Sequence, residues 1–239
     1  MKDVKLKKSW KGIVSVVIAA AGKGTRMNLD INKQYIEICR MPVLARTIEA
    51  FQECRFIDEI VLVINQNDLV YCKKNIIDAY GFTKVGKIVA GGDKRQQSVF
   101  KGLNEVSRDC EIVLIHDGAR PFIREDVILE SIAEAKDFGA SCVAVPVKDT
   151  IKRSGSEGFF EETLQREGLW SIQTPQTFKY EIIKDAHEQA VKDGFEGTDD
   201  SVLVERLGLP VKIVMGSYDN IKITTQEDLA IGEAIIKGM

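Results

Sequence analysis

Histidine is the most informative scarcity in this sequence. The 239 residues include two, His116 and His187, so acid–base schemes built on imidazole have little material, and both are read as structural. Cysteine comes as an odd five (Cys39, Cys54, Cys72, Cys110 and Cys142) with no C-x-x-C pair. That excludes a disulfide framework and a zinc site, and it reads as reduced cytosolic thiols used as small core residues. No apolar run approaches the ~18–20 residues of a membrane span. Charge of one sign is also lacking, since 33 Lys+Arg oppose 36 Asp+Glu for a net −3. A general nucleic-acid binder would carry a basic footprint, so nucleic acid and membrane are both excluded as partners. Internal repeats, low-complexity tracts and linkers are absent as well.

What is present is ordinary globular material, 44% apolar and 29% charged. A chain of this size buries roughly 70% of its unfolded surface and needs no disulfide or metal to fold. One domain covering 1–239 is expected. At the N-terminus Lys2, Lys5, Lys7, Lys8 and Lys11 precede an apolar stretch ending in Ala19-Ala20-Ala21, which imitates a secretory signal. The stretch is β-branched rather than Leu-rich, and Gly22 and Gly24 follow it. It therefore reads as a basic tail entering a buried first strand, in a cytoplasmic protein.

Short apolar runs alternate with amphipathic stretches. Strands are expected at Ile13–Ala19, Glu59–Ile64, Lys87–Ala90, Ile112–Ile115, Ser141–Val147 and Val211–Met215. Helices are expected at Val43–Gln52, Leu69–Tyr80, Gln96–Val106, Asp126–Phe138, Glu181–Val191 and Ser201–Leu207. A last helix over Leu229–Ile236 follows a capping pattern at Thr225 and Asp228. Strands this hydrophobic, alternating with helices, predict an α/β fold: a mostly parallel central sheet covered on both faces. Residues 148–174 break the rhythm. The turn signal Ser154-Gly155-Ser156-Glu157-Gly158 there predicts a protruding β-hairpin arm.

Four motifs carry chemistry. Ala19-Ala20-Ala21-Gly22-Lys23-Gly24-Thr25-Arg26-Met27 follows the first strand. Small residues at such a strand end let backbone N–H groups approach phosphates. It is not a Walker loop, since G-x-x-x-x-G-K-S/T fails here, nor a dinucleotide fingerprint, because Met27 stands where G-x-G-x-x-G needs its third glycine. Arg26 and then Lys33 add two cations to the same loop. Gly91-Gly92-Asp93-Lys94-Arg95-Gln96-Gln97-Ser98 follows another strand; its glycines can bring backbone against a planar base, with Ser98 as an edge reader or a helix start. His116-Asp117-Gly118-Ala119-Arg120 leaves a third strand, and Asp117 there is an ion-pair partner or a Mg²⁺ ligand. Asn220-Ile221-Lys222-Ile223-Thr224 places Lys222 in a strand-like context, where a snorkelling surface lysine is the plainer alternative.

The ordered set A-A-G-K-G-T-R-M, N-K-Q, G-G-D-K-R-Q-Q-S-V, H-D-G-A-R-P-F, V-K-D-T-I-K, G-L-W-S-I-Q-T-P-Q-T-F, T-D-D and N-I-K-I-T resembles the 2-C-methyl-D-erythritol 4-phosphate cytidylyltransferase family of the isoprenoid pathway. The likeness runs from about Val16 to Leu229. It implies a Rossmann-like nucleotidyltransferase fold, CTP and a polyol phosphate as substrates, Mg²⁺ or another divalent cation, and a homodimer clasped through the arm. Residue by residue, it implies that Arg26 and Lys33 are catalytic. Arg166, Lys222, Arg120 and Thr150 would position the methylerythritol phosphate. Ala20, Ala21, Gly22, Gly24, Gly92, Asp93 and Ser98 would contact CTP, and Asp117 the metal. Asn32 replaces a frequent proline, Gly118 a common alanine and Arg46 a frequent histidine; none of these removes a carried charge.

The implied reaction is attack by a phosphate oxygen on the α-phosphorus of CTP, with pyrophosphate leaving. A phosphate monoester has its second pKa near ~6, so the nucleophile is already ionised and needs no strong base. Repulsion between polyanions is the obstacle, and cations are the remedy. Ribitol-5-phosphate cytidylyltransferase shares much of this framework and is the nearest rival. A catalytically silent nucleotide-binding regulator would have lost Arg26, Lys33 or Lys222. An NAD-dependent oxidoreductase is opposed by Met27 and by Asn65, which replaces the acidic ribose ligand after the second strand.

Overall fold

The computed structural model describes residues 12–22 and 33–238. β1 (Ile13–Ala20) leads to a 3₁₀ turn at Lys33–Tyr35, the short pair β2 (Glu37–Ile38) and β3 (Met41–Pro42), and α1 (Val43–Glu53). β4 (Glu59–Ile64) is followed by α2 (Leu69–Cys72), which runs on through a π-helical turn at Lys73–Asp78. Next come β5 (Val85–Ala90), α3 (Arg95–Leu103), β6 (Cys110–Asp117), α4 (Glu125–Phe138) and β7 (Ala140–Pro146). The arm is the hairpin β8 (Lys152–Ser154) and β9 (Phe160–Thr163). β10 (Trp170–Lys179), α5 (Tyr180–Lys192), α6 (Ser201–Arg206), β11 (Lys212–Met215) and α7 (Gln226–Gly238) complete the order.

Seven strands form one sheet in the order β11-β7-β10-β6-β1-β4-β5. β1 pairs in parallel with β4 and β6, β4 with β5, and β7 with β11, whereas β10 runs antiparallel to both β6 and β7. Six strands therefore share a direction and their C-terminal ends share an edge. The α/β expectation holds, with β10 as an antiparallel strand that the apolar pattern does not reveal.

The two sheet faces are read off alternate residues. Val14, Val16, Ile18, Ile60, Leu62, Ile112 and Leu114 pack with Leu44, Ile48 and Phe51 of α1 and Ile128 and Ile132 of α4. Val17, Val61, Val63, Val113 and Ile115 pack with Val99 and Leu103 of α3 and Ile183 and Ala186 of α5. α7 covers a satellite cluster through Leu229, against Ile38, Val43, Phe122 and Ile223. The expected cap is present, since Asp228 Oδ2 accepts from the Thr224 and Thr225 N–H groups at 2.7 and 2.8 Å. Each fully buried aliphatic side chain contributes roughly 1.5–3 kcal/mol. β8 and β9 draw on none of this, because all their residues are exposed. Among the described residues no helix is long and apolar enough to cross a membrane.

Candidate active site

The edge where six strands end is where open α/β sheets bind ligands, at the point where strand order reverses. Here the reversal lies at β1, flanked by β4 and β6. A cavity of about 750 Å³ opens there, lined by Ala20, Ala21, Gly22, Gly92, Asp93, Ser98, Asp117 and Lys222 among others. Small residues let the segments that wall it pack closely together. A Cβ at Gly118 would stand 2.7 Å from the Ala20 Cβ, and one at Gly91 would stand 2.8 Å from Ser98 Oγ.

The Gly91-Gly92 turn is held rigidly. The Gly91 N–H donates to the Ile64 carbonyl at 2.8 Å, and the Gly92 N–H donates to Ser98 Oγ at 3.0 Å. The Ser98 hydroxyl is also 3.0 Å from the Lys94 carbonyl, to which it donates. Ser98 is thus inside the first turn of α3 and braces the glycine wall; it is not the helix N-cap. The Gln97 Oε1 reaches back to accept from the Asp93 N–H at 3.1 Å.

Asp117 ends β6 facing this cavity, surrounded by cations. Arg95 Nε lies 3.1 Å from its Oδ1, Lys222 Nζ 2.8 Å from its Oδ2, and Arg120 Nε 3.7 Å from Oδ2. Burial alone would raise the Asp117 carboxyl, but Arg95, Lys222 and Arg120 outweigh it and hold the group far below the ordinary carboxylate range. The sequence left an ion pair or a metal ligand open at this position, and the structure has the ion pairs. Lys222 lies in a segment outside any helix or strand, anchored by the Ile223 N–H, which donates to the Ala119 carbonyl at 2.8 Å. Arg120 Nη1 donates to the Asn220 carbonyl at 2.8 Å, tying the two segments together.

Both histidines are wholly buried. Burial pushes His116 down to about 4, so the ring is neutral near pH 7. Its Nε2 is 3.0 Å from the Arg120 carbonyl and its Nδ1 3.0 Å from Thr174 Oγ1, which accepts from the Asp117 N–H at 3.1 Å. His116 braces the turn that carries Asp117, as its structural reading requires.

The remaining expected residues lie elsewhere. Thr150 and Arg166 are exposed on the arm region, away from the cavity lining, and Arg166 Nη1 donates to the Lys148 carbonyl at 2.6 Å. Gly24 and Arg26 lie outside the described residues, as does the Lys33 side chain, although Lys33 opens the 3₁₀ turn beside the cavity-lining Gln34. Sequence reasoning missed Arg95 and Asp200. Arg95 Nη1 donates to Asp200 Oδ2 at 2.7 Å, and Asp200 is 1% exposed. Their motifs, G-G-D-K-R and T-D-D, were the signals that could have found them.

Comparison with known proteins agrees with the geometry. The family model described as 2-C-methyl-D-erythritol 4-phosphate cytidylyltransferase matches residues 14–238. A 2-C-methyl-D-erythritol 4-phosphate cytidylyltransferase of Alkaliphilus oremlandii is 52% identical over 223 residues, covering 93% of this chain and 94% of the relative. One from Clostridioides difficile is 53% identical over 222 residues, covering 93% of each chain. The crystal structure of 4-diphosphocytidyl-2C-methyl-D-erythritol synthase from Anaerococcus prevotii superposes with a TM-score of 0.83 at 36% identity, over 95% of this chain and 96% of that one. With motif order, fold and cavity in agreement over nearly the whole length, the chain belongs to the 2-C-methyl-D-erythritol 4-phosphate cytidylyltransferase family.

Proposed function

We propose that this protein transfers the cytidylyl group of CTP to 2-C-methyl-D-erythritol 4-phosphate, giving 4-diphosphocytidyl-2-C-methyl-D-erythritol and pyrophosphate, as a single nucleotidyltransferase domain in the cytoplasm. The observation that carries the reading is the cavity at the sheet's switch point. It joins a glycine-lined wall to a cluster of cations, within a chain whose two relatives cited above carry this name. Ribitol-5-phosphate cytidylyltransferase is not favoured, since the family match and both relatives cited above bear the methylerythritol name.

The nucleotide's cytosine would lie against the wall of the cavity formed by Ala21, Gly91 and Ser98. Ala20, Gly22, Gly92 and Asp93 would face its ribose and phosphates. Arg26 and Lys33, both following the glycine turn in sequence, would stabilise charge that develops as pyrophosphate departs. Lys222 and Arg120, with Arg166 and Thr150 of an arm, would seat the second substrate's phosphate. Because that phosphate is ionised near neutral pH, no residue here needs to act as a strong base.

A divalent cation fits this donor set. Asp93 and Asp117 are the carboxylates among the described lining residues, and no cluster of three or more His, Cys, Asp or Glu forms a dedicated cage among those residues. Mg²⁺ commonly takes one or two carboxylates and completes its shell with water and substrate phosphates. Asp117 would hold it, and when bound it would neutralise phosphate charge.

The arm supports a homodimer reading. Its strands are exposed along their whole length, with Phe159 74% and Phe160 72% exposed. An isolated hairpin is marginally stable in water and needs a surface to pack on. A symmetric partner supplies one, and the arm then completes the partner's substrate site. The function is tested by pyrophosphate release from CTP with methylerythritol phosphate and with ribitol 5-phosphate. Faster turnover with ribitol 5-phosphate would replace this reading with its rival.

A further inference from the structure

We propose that Arg95 is a positioning residue for this reaction, orienting the Asp117 carboxylate from a buried anchor on Asp200 instead of gripping the nucleotide's phosphates; the proposal rests on the cytidylyl-transfer reading above. Arg95 opens α3 and lines the cavity, a place where an arginine invites assignment as a phosphate ligand. Its guanidinium is engaged elsewhere. Nε donates to Asp117 Oδ1 at 3.1 Å and Nη1 to Asp200 Oδ2 at 2.7 Å. A guanidinium is a rigid planar fork, so two carboxylates on different donors fix its plane.

The anchor is itself held from behind. Asp200 is absent from the cavity lining, and its backbone N–H donates to Gln176 Oε1 at 2.9 Å. His187 Nε2 stands 3.4 Å from Asp200 Oδ1, and the His187 ring stacks on Phe100 with centroids 5.5 Å apart and planes 2° from parallel. The neighbours of Arg95 grip the same stretch of chain. Gln96 Oε1 accepts from the Gly197 N–H at 2.9 Å, Gln96 Nε2 donates to the Phe195 carbonyl at 3.1 Å, and Lys94 pairs with Glu196. Three consecutive residues at the start of α3 therefore lock onto residues 195–200.

This arrangement divides the work among the cations. Arg95 is matched by two carboxylates, so it brings no surplus charge to a polyanion. Lys222, 2.8 Å from Asp117 Oδ2 and 36% exposed, keeps further N–H donors for the cavity. Arg95 thus fixes the Oδ1 side of Asp117 and leaves the Oδ2 side to Lys222, to Arg120 and to ligands. A buried ion pair is a poor source of stability compared with apolar residues of the same volume. Its place directly behind the reaction site is explained by orientation.

The test compares wild type with Asp200→Asn and with the double variant Arg95→Met/Asp200→Leu, measuring kcat and KM for CTP, thermal stability and crystal structures. Loss of alignment at a reacting centre costs up to ~10²-fold. We expect kcat in folded Asp200→Asn to fall at least ~10-fold with the CTP KM within about threefold, the signature of an interaction that matters after binding. The double variant removes both charges and should fold, yet its kcat should stay low, and in both structures the Asp117 carboxylate should be turned from its wild-type orientation. If Asp200→Asn fails to fold, the double variant and Arg95→Lys, which cannot span both carboxylates, decide the matter. Near-wild-type kcat in a folded variant overturns the proposal. So does a large rise in the CTP KM at constant kcat, which would make Arg95 a nucleotide ligand. An unmoved Asp117 carboxylate overturns it whatever the activity. Wild type that releases no pyrophosphate with any polyol phosphate would sink the functional reading, and the orientation of Asp117 in the variants would then decide the positioning claim alone.

Discussion

Asp117 meets Arg95, Arg120 and Lys222 within 4 Å; with Arg95 matched by Asp200 as well, Arg120 and Lys222 supply the local excess of cations that two phosphate-bearing substrates require. Arg26 and Lys33 extend that excess in sequence. Arg26→Ala and Lys33→Ala should each lower kcat by at least ~10²-fold with the fold intact, a loss of roughly 3 kcal/mol of charge stabilisation. Steady-state kinetics with circular dichroism checks this, and normal turnover in either folded variant would refute the assignment. Asp200 makes a separate prediction in acid. Burial alone would raise its carboxyl, but Arg95 and then His187 outweigh burial and lower it. A carboxyl lowered in the folded state contributes stability above its ordinary value of ~3.9, and that stability is lost as pH falls below it towards the folded value. Arg95→Met should therefore unfold at a higher pH than wild type when titrated by circular dichroism; coincident acid transitions would contradict this. The glycine turns and Asp117 were legible because each follows an apolar run in a recognisable motif, and Lys222 through the N-I-K-I-T motif alone. The partnership of Arg95 with Asp200 was not, because it joins residues 105 apart in sequence, and one sequence does not display such a contact.

Among the elements, the strands with continuous Val and Ile runs were readable and β10 was not. Its sequence, WSIQTPQTFK, is mostly polar and contains a proline, which ordinarily argues against a central strand. It nevertheless lies between β6 and β7, with a register irregularity between Ile172 and Gln176 that accommodates the proline. Its buried polar groups are paired: Gln176 Oε1 accepts from the Asp200 and Ser201 N–H groups, and Gln173 Nε2 donates to the Ser217 carbonyl. Tertiary hydrogen bonding thus overrides local hydrophobicity. The tight β2–β3 turn was hidden for a related reason, since Cys39 and Arg40 adopt φ of 49° and 65° without the usual glycine or asparagine. α3 carries the glycine-slot brace Ser98, and its approach to the sheet depends on Gly102. A Cβ there would stand 2.5 Å from Val17 Cγ1 and 2.7 Å from Val63 Cγ2. Gly102→Ala should destabilise the protein by about 1–3 kcal/mol through overpacking. Scanning calorimetry should show a lower Tm, and an unchanged Tm would refute the packing argument.

For the molecule as a whole, one sheet edge gathers the chemistry, and the arm leaves from that same edge, between the end of β7 and the start of β10. The hairpin was legible from its Ser-Gly-Ser-Glu-Gly turn, but its partner surface was not, because exposed aromatics do not name what covers them. The dimer reading predicts that sedimentation finds a dimer, and that Phe159→Ser with Phe160→Ser shifts it towards monomer. A fully active monomer at assay concentration would rule it out. Arg166→Ala and Lys222→Ala, each weak alone, should recover part of the activity when mixed if the two residues of one site come from different chains.

The most direct test of the central claim is the initial rate of pyrophosphate release from CTP in the presence of a divalent cation, with methylerythritol phosphate and ribitol 5-phosphate as alternative acceptors. The account predicts release that depends on an acceptor and a kcat/KM for methylerythritol phosphate far above that for ribitol 5-phosphate. Release with neither acceptor, or a preference for ribitol 5-phosphate, would contradict it.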